Sequence, residues 1–266
     1  MINLITLKEL SIKKQIDQSS VFREILQIAW LNQFYRLPAG RRVWFKGGTC
    51  LKLLYGSNRF SEDLDFNTKL TSRQIAAAVN LATDKLQTDF PGLSVKPLKS
   101  IAGITHKLYL PTEFSFQPLT VKLDFSLREK ALLPEKQVIS TDLPVLSVTL
   151  INHFNPREIL AEKYRAILKR KKGRDIYDLW FLLNRQVPFD ENLIRKKLRL
   201  YQEKYQPEKL IKRIVDFEEQ ILIKDVNQFL PKTDRQILSR LKPLLLQKLK
   251  VDIEASGPKP VLTSFV

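Results

Sequence analysis

Two aspartates one residue apart, Asp63 and Asp65, carry the clearest chemistry in this chain. They close the stretch Lys46–Phe66, KGGTCLKLLYGSNRFSEDLDF. On a strand successive side chains alternate, so Asp63 and Asp65 share a face with Cα atoms roughly 6.5–7 Å apart, while Leu64 and Phe66 point into a core. Two carboxylates on one face repel each other unless a cation sits between them. Mg²⁺ suits such a pair, because it is held by a few carboxylates together with substrate phosphates. Just upstream, Gly47 and Gly48 tolerate positive φ and let backbone approach a ligand. The short helix from Thr49 onward offers free N–H groups to a phosphate. A third acid, Asp124 in VKLDFS, lies on a later strand. Three carboxylates from two strands can hold one or two metal ions, one activating an attacking hydroxyl and the other neutralising a triphosphate and its leaving pyrophosphate. Asp124 also has a plainer use, an ion pair with Lys122 or Arg128. Ser61 is placed to bond a phosphate or steady a carboxylate, or is a loop serine. Arg59 contacts a phosphate or pairs at the surface.

A second constellation is Leu160–Leu183, LAEKYRAILKRKKGRDIYDLWFLL. Between Lys163 and Arg174 it has seven basic residues and no acid. Lys163 lies among Ala161, Tyr164, Ala166 and Ile167, where a solvated lysine gains little. On one continuous helix Lys163, Arg170 and Arg174 would fall within about 40° of each other. If Gly173 breaks the helix, Asp175 caps the next one and Asp178 is an acid of its first turn. The functional alternative is a cationic wall facing a triphosphate or an RNA backbone. In that alternative Lys169, Arg170, Lys171 and Lys172 form the RNA-binding stretch, and an acid serves as general base or metal support.

The elements that must position these residues follow from periodicity. Residues 6–36 read as one helix, with Val21, Ile25, Leu26, Ile28, Ala29 and Phe34 at helical spacing. Residues 42–46 read as a strand, 49–54 as a short helix, 63–66 as the acidic strand, and 71–86 as a helix capped by Thr71 or Ser72. Residues 93–98, 104–110 and 119–127 read as strands broken at Pro111 and Pro118. In the last of these Val121, Leu123 and Phe125 alternate with Lys122, Asp124 and Ser126. From Asn155 onward the pattern is helical almost to the end. This predicts an α+β domain over 1–150, an all-helical domain over 151–254, and a flexible tail over 255–266.

Composition narrows the partners. The chain has 266 residues, 45 Lys and Arg against 28 Asp and Glu, and a formal charge of +17, an excess that calls for a polyanion. A single cysteine excludes a disulfide framework and fits a reducing cytosol. No 18-residue apolar run and no signal-peptide pattern is present, so a cytoplasmic protein without a membrane span is expected. His106 and His153 lack metal spacing and read as surface or hydrogen-bonded residues.

Taken together, GGT-x-L…R-x-S-x-DLDF (Gly47 to Phe66) and AEK…RD-x-YDLWFLL (Ala161 to Leu183) resemble the AbiEii/AbiGii abortive-infection toxin nucleotidyltransferases of the polymerase-β-like superfamily. The resemblance implies a bilobed fold, with a mixed-sheet nucleotidyltransferase lobe and an all-helical lobe. It implies Mg²⁺-dependent transfer of a nucleotide from an NTP to RNA, the tRNA 3′ end being a known target class, with growth inhibition and a cognate antitoxin encoded nearby. By motif, Gly47 and Gly48 hold phosphate, Asp63 and Asp65 hold Mg²⁺, Lys163 contacts the nucleotide phosphates, and Asp175 or Asp178 supports catalysis. Ser61 matches a motif serine near the metal, and Asp124 matches the superfamily's third acid. The competing readings are a nucleotidyltransferase acting on a small molecule or protein, and a non-catalytic RNA-binding protein on the same fold.

Overall fold

The computed structural model describes residues 3–100 and 103–256. The expected flexible tail, apart from Ala255 and Ser256, lies outside them. The chain forms two compact units. One runs up to Asn155 and is completed by Gln228–Arg235; the other comprises Pro156–Asn227 and the chain from Gln236 onward.

The first unit begins with α1 (Leu4–Lys14) and α2 (Gln18–Arg36) where one helix is expected. The break comes at Gln15, which is left-handed at φ 52°, and Asp17 then caps α2 by accepting from the Ser20 N–H at 2.8 Å. The elements that follow are β1 (Val43–Lys46), α3 (Gly47–Tyr55), β2 (Asp63–Thr68), α4 (Ser72–Asp84), β3 (Ser94–Leu98), β4 (Ile104–Thr112), β5 (Ser115–Ser126), β6 (Pro134–Gln137) and β7 (Ile151–Phe154). Thr71 and Gln74 form a reciprocal capping box on α4.

These strands make one mixed sheet in the order β3-β4-β5-β2-β1-β7-β6. β2 pairs parallel with β5 and antiparallel with β1. Pro118 does not end β5, which starts at Ser115 and is exposed over its first four residues. β6 and β7 are not expected from sequence, and β7 shifts the division between the units from residue 150 to Asn155. Each spans only four residues, too few to show a period.

One sheet face is the core. Phe66 and Phe125, neighbours across the parallel β2–β5 pair, stack with ring centroids 4.8 Å apart. α2 lays Trp30 and Phe34 over them, Phe34 being 6.0 Å from each ring. Truncating one such buried aromatic costs about 3–5 kcal/mol, so the aromatic cluster strongly fixes which face of β2 and β5 is buried. A one-residue slip would put Asp65 into the core and Phe66 into water.

The second unit is helical: α5 (Pro156–Lys169), α6 (Gly173–Asn184), α7 (Glu191–Arg199), α8 (Pro207–Val215), α9 (Glu219–Asn227) and α10 (Leu238–Ser256). The helical pattern is interrupted after α7, which stops at Arg199, and between α8 and α9. The unit buries charge in neutral pairs. Lys197 is 1% exposed and bonds Glu158, itself fully buried, at 2.6 Å. No helix among the described residues is long and apolar enough to cross a membrane.

Candidate active site

Candidate site residues occur in both units, and each set stands by itself. In the first, Lys46 ends β1 and Gly47 opens α3 with φ 79°, a conformation natural to glycine. A Cβ on Gly47 would fall against the carboxylate of Asp65. The glycine thus serves two ends: it makes the turn, and it leaves room for an acid beside the start of α3. That start has no side-chain cap, and the first backbone N–H groups of a helix have no partner within the helix itself. Thr49 does not offer its hydroxyl to a ligand, because its Oγ1 donates to the backbone carbonyl of Asp63 and the side chain is buried. It ties α3 to β2 instead.

Asp63 and Asp65 are half-buried and alternate with buried Leu64 and Phe66. They therefore share the face opposite the aromatic core. Register sets Asp124 beside Asp65 and Lys122 beside Asp63. Asp124 is already engaged on both oxygens: Thr105 Oγ1 donates to Oδ1 at 2.6 Å, and Lys122 Nζ donates to Oδ2 at 2.5 Å. Burial works against the charge on Lys122, but its bond to Asp124 and the negative charges of Asp124, Asp63 and Asp65 outweigh it and raise its pKa. Lys122 is one cation among the three acids, and the β1–β2 register sets Lys46 opposite Asp65.

Among the described residues, no three His, Cys, Asp or Glu side chains form a ready metal set. Asp63 and Asp65 fit a hard cation nevertheless, since both are oxygen donors, accessible and on one face. Asp124 fits less well than expected, because Thr105 and Lys122 already satisfy it.

The loop before β2 holds the other expected phosphate contacts. Arg59 is 2% exposed, so it is not a surface residue; its guanidinium donates to the Phe60 carbonyl at 3.0 Å. Gln27 on α2 donates to the Ser61 carbonyl at 3.0 Å, and the Ser61 side chain stays partly accessible. The returning segment pins the loop, Phe60 N–H donating to Phe229 O at 2.8 Å.

In the second unit the basic stretch is interrupted as Gly173 suggests: α5 ends at Lys169 and α6 starts at Gly173. Asp175 is not the cap, since Lys172 holds that position without a side-chain bond. Asp175 and Asp178 are instead buried, at 1% and 0% exposure, and both accept from Lys163. Lys163 Nζ lies 2.9 Å from Asp175 Oδ1 and 2.7 Å from Asp178 Oδ2. Arg170 adds two bonds to Asp175, at 2.7 and 3.0 Å. Burial alone would raise the pKa of Asp175; Lys163 and Arg170 overcome it and hold the carboxyl well below the usual carboxylate range.

The expected RNA-binding stretch is also largely paired inside its unit. Lys169 pairs with Glu203, Arg170 with Asp175, and Lys171 with Glu218 at 2.8 Å. Lys172 is exposed and Arg174 half-buried.

Sequence reading missed Thr105 and undervalued Lys122. The signal for both is the pairing of β4 with β5, in which Thr105 faces Asp124 and Lys107 faces Lys122. His106 and His153 are both buried, and of the two readings, surface or hydrogen-bonded, His153 takes the second. His153 Nδ1 lies 3.0 Å from the Tyr55 hydroxyl, and burial lowers the pKa of both rings.

Comparison with known proteins places this geometry. A family described as the nucleotidyl transferase AbiEii toxin of type IV toxin–antitoxin systems matches residues 30–252. The uncharacterized protein aq_aa25 of Aquifex aeolicus (strain VF5) is 28% identical over 191 residues, 70% of this chain and 77% of that protein. Among solved structures, MenT4, a nucleotidyltransferase toxin of Mycobacterium tuberculosis H37Rv, superposes with a TM-score of 0.65 at 16% identity, covering 94% of this chain and 89% of its own. JHP933 of Helicobacter pylori gives 0.52 at 21% identity, covering 90% and 97%. At these identities the structures share the fold.

Proposed function

We propose that this chain, which belongs to the AbiEii family of nucleotidyltransferase toxins, transfers nucleotides from an NTP to RNA, at the 3′ end of tRNA, in the cytoplasm and under the control of a cognate antitoxin. The observation that carries the reading is the pair Asp63 and Asp65, accessible on the face of β2 away from the core, with the glycine start of α3 cleared to receive Asp65.

In this reading Asp63 and Asp65 hold Mg²⁺, with Asp124 as a further oxygen ligand if it leaves Lys122. The metal supplies charge neutralisation for the triphosphate and the departing pyrophosphate. The chain's own residues do the rest by positioning and charge. The N–H groups opening α3 at Gly47 and Gly48 bind phosphate, strengthened by the helix dipole. Ser61 adds a hydroxyl at the approach to Asp63. Lys163 contacts the nucleotide phosphates, and Asp175 and Asp178 aim its ammonium. The acceptor hydroxyl gives up its proton as it attacks the α-phosphorus, and the bond to pyrophosphate breaks. The charge of +17 supports a polyanionic acceptor.

The test is incubation with Mg²⁺, each labelled NTP in turn, and total tRNA. Label should enter tRNA with release of pyrophosphate, and Asp63→Asn should abolish it and relieve growth inhibition. The reading on acceptor fails if no NTP labels RNA while a small molecule or a protein becomes labelled. The metal assignment fails if Asp63→Asn remains toxic.

A further inference from the structure

The exposed side of β3, β4 and β5 carries an arrangement that the reaction described above does not use. Paired residues of a sheet share a face, and the register sets Lys96 opposite Lys107, Lys107 opposite Lys122, and Lys122 opposite Asp63. Three lysines thus stand side by side across three strands and end at the first catalytic acid. Strands are about 4.8 Å apart, so the row spans about 14 Å from Lys96 to Asp63.

Like charges directly opposite each other destabilise a sheet, and the fold does little to relieve this row. Lys122 is held by Asp124. Lys96 is exposed and Lys107 half-buried, and neither has an ion-pair partner among the described residues. Both instead flank one ring. Tyr109, which the register puts between Ser94 and Thr120, has the Lys96 ammonium 5.7 Å and the Lys107 ammonium 5.5 Å from its centroid. At that range the attraction to the ring is weak, and the ammonium groups remain available to solvent. A line of unneutralised cations beside a partly open aromatic ring is what a single-stranded polynucleotide requires: point charges for successive phosphates, and a flat surface for a base.

We infer that Lys96, Lys107 and Tyr109 form the seat of the acceptor's single-stranded 3′ end, which runs along the row so that its terminal hydroxyl arrives at Asp63. This rests on the proposed reaction with an RNA acceptor and adds where on the molecule that acceptor lies. It also moves the RNA contact from the Lys169–Lys172 stretch, where three of four cations are paired, to a row whose outer members are not. An acidic segment of a partner protein would find the same charges, but the aromatic ring between them and the continuity with Asp63 favour the polynucleotide.

The experiment uses the full-length protein and a fluorescent single-stranded RNA oligonucleotide ending in CCA. Its Kd is measured by anisotropy across a salt series without NTP or Mg²⁺, so that binding is read independently of transfer. Lys96→Ala with Lys107→Ala should weaken binding at least ~10-fold and reduce the slope of log K against log salt by about 1.4, two single-strand phosphate contacts. Tyr109→Leu should weaken binding several-fold with the slope kept, and Lys96→Arg with Lys107→Arg should retain both. In the transfer assay the alanine pair should raise the KM for tRNA and leave that for NTP unchanged. Since removing like charges relieves repulsion, its melting temperature should not fall. Unchanged Kd and slope in the alanine pair overturn the inference, as does a rise confined to the KM for NTP or to the Kd for an acidic peptide. If wild-type protein labels no RNA at all, the proposed reaction fails instead, and the binding series reports that separately.

Discussion

The two units of this protein handle carboxylates in opposite ways. On the sheet, Asp63, Asp65 and Asp124 lie close together, partly exposed, with Lys122 bonded to Asp124 and Lys46 opposite Asp65 in the register; the Asp124 side chain is 30% accessible. In the helical unit Asp175 and Asp178 are sealed in, and Lys163 and Arg170 match their charge. Carboxylates on an accessible face can be reached by a ligand. In a buried ion-pair network, removing one member leaves an uncompensated charge in a low-dielectric interior. The same residue types therefore stand open on the sheet and, in the helical unit, hold Lys163 in place.

Substitutions can break or sharpen that contrast. The largest effect is expected on the sheet: Asp63→Asn or Asp65→Asn should cut transfer by more than about a thousandfold, roughly 4 kcal/mol, while the melting temperature holds or rises as repulsion is relieved. A drop of several degrees would mean the acids brace the sheet after all. Next is Lys163→Met, expected to cost about 3–5 kcal/mol of stability in chemical denaturation by stranding two buried carboxylates. Adding Asp178→Asn should recover part of that loss. If transfer returns with stability, Lys163 only braces; if stability returns and transfer does not, it touches the nucleotide.

Gly47→Ala follows. A non-glycine residue at this positive φ costs on the order of 1–2 kcal/mol, and the added methyl displaces Asp65. Transfer should therefore fall much further than stability. Equal losses would mean the glycine only makes the turn. Asp175 gives a pH effect of fixed sign. Its folded pKa is depressed, so its contribution to stability is complete above the ordinary carboxylate pKa near 4 and drains away as pH falls below it. Urea midpoints of wild type and Asp175→Asn should converge as pH drops from 6 to 3; a constant gap would deny the ion pair its role. The smallest effect is Lys171→Glu, whose partner Glu218 is 61% accessible. It should shift stability by no more than about 0.5 kcal/mol.

Local pattern made much of this visible. The alternation in DLDF and VKLDFS puts the acids on one face and Phe66 and Phe125 on the other, since strand geometry has a period of two whatever the surroundings. Gly47 was legible as a turn, and its second role, yielding space to Asp65, depends on the β1–β2 pairing and was not. For Arg59 the sequence leaves a phosphate contact and a surface pairing both open; the returning segment at Phe229 buries the loop it belongs to, which disfavours the surface pairing. For Asp175 the sequence leaves a cap and a functional acid both open; α6 starts at Gly173 itself, which removes the cap. β6 and β7 are held by their neighbours in the sheet more than by their own residues.

The sequence by itself determined which residue types stand at which spacing: the Gly47–Asp65 stretch, the Lys163–Asp178 stretch, the net charge, and through the two motifs the family. Spacing fixes what is local, because backbone periods are the same in every fold. Only the tertiary structure decided what each charge meets. Strand register seated Lys122 and Thr105 on Asp124 and lined up Lys96 and Lys107 toward Asp63, and helix packing closed Lys163 between two buried acids. Partners distant in sequence are brought together by packing, and packing is where an accessible acid and a buried one part company.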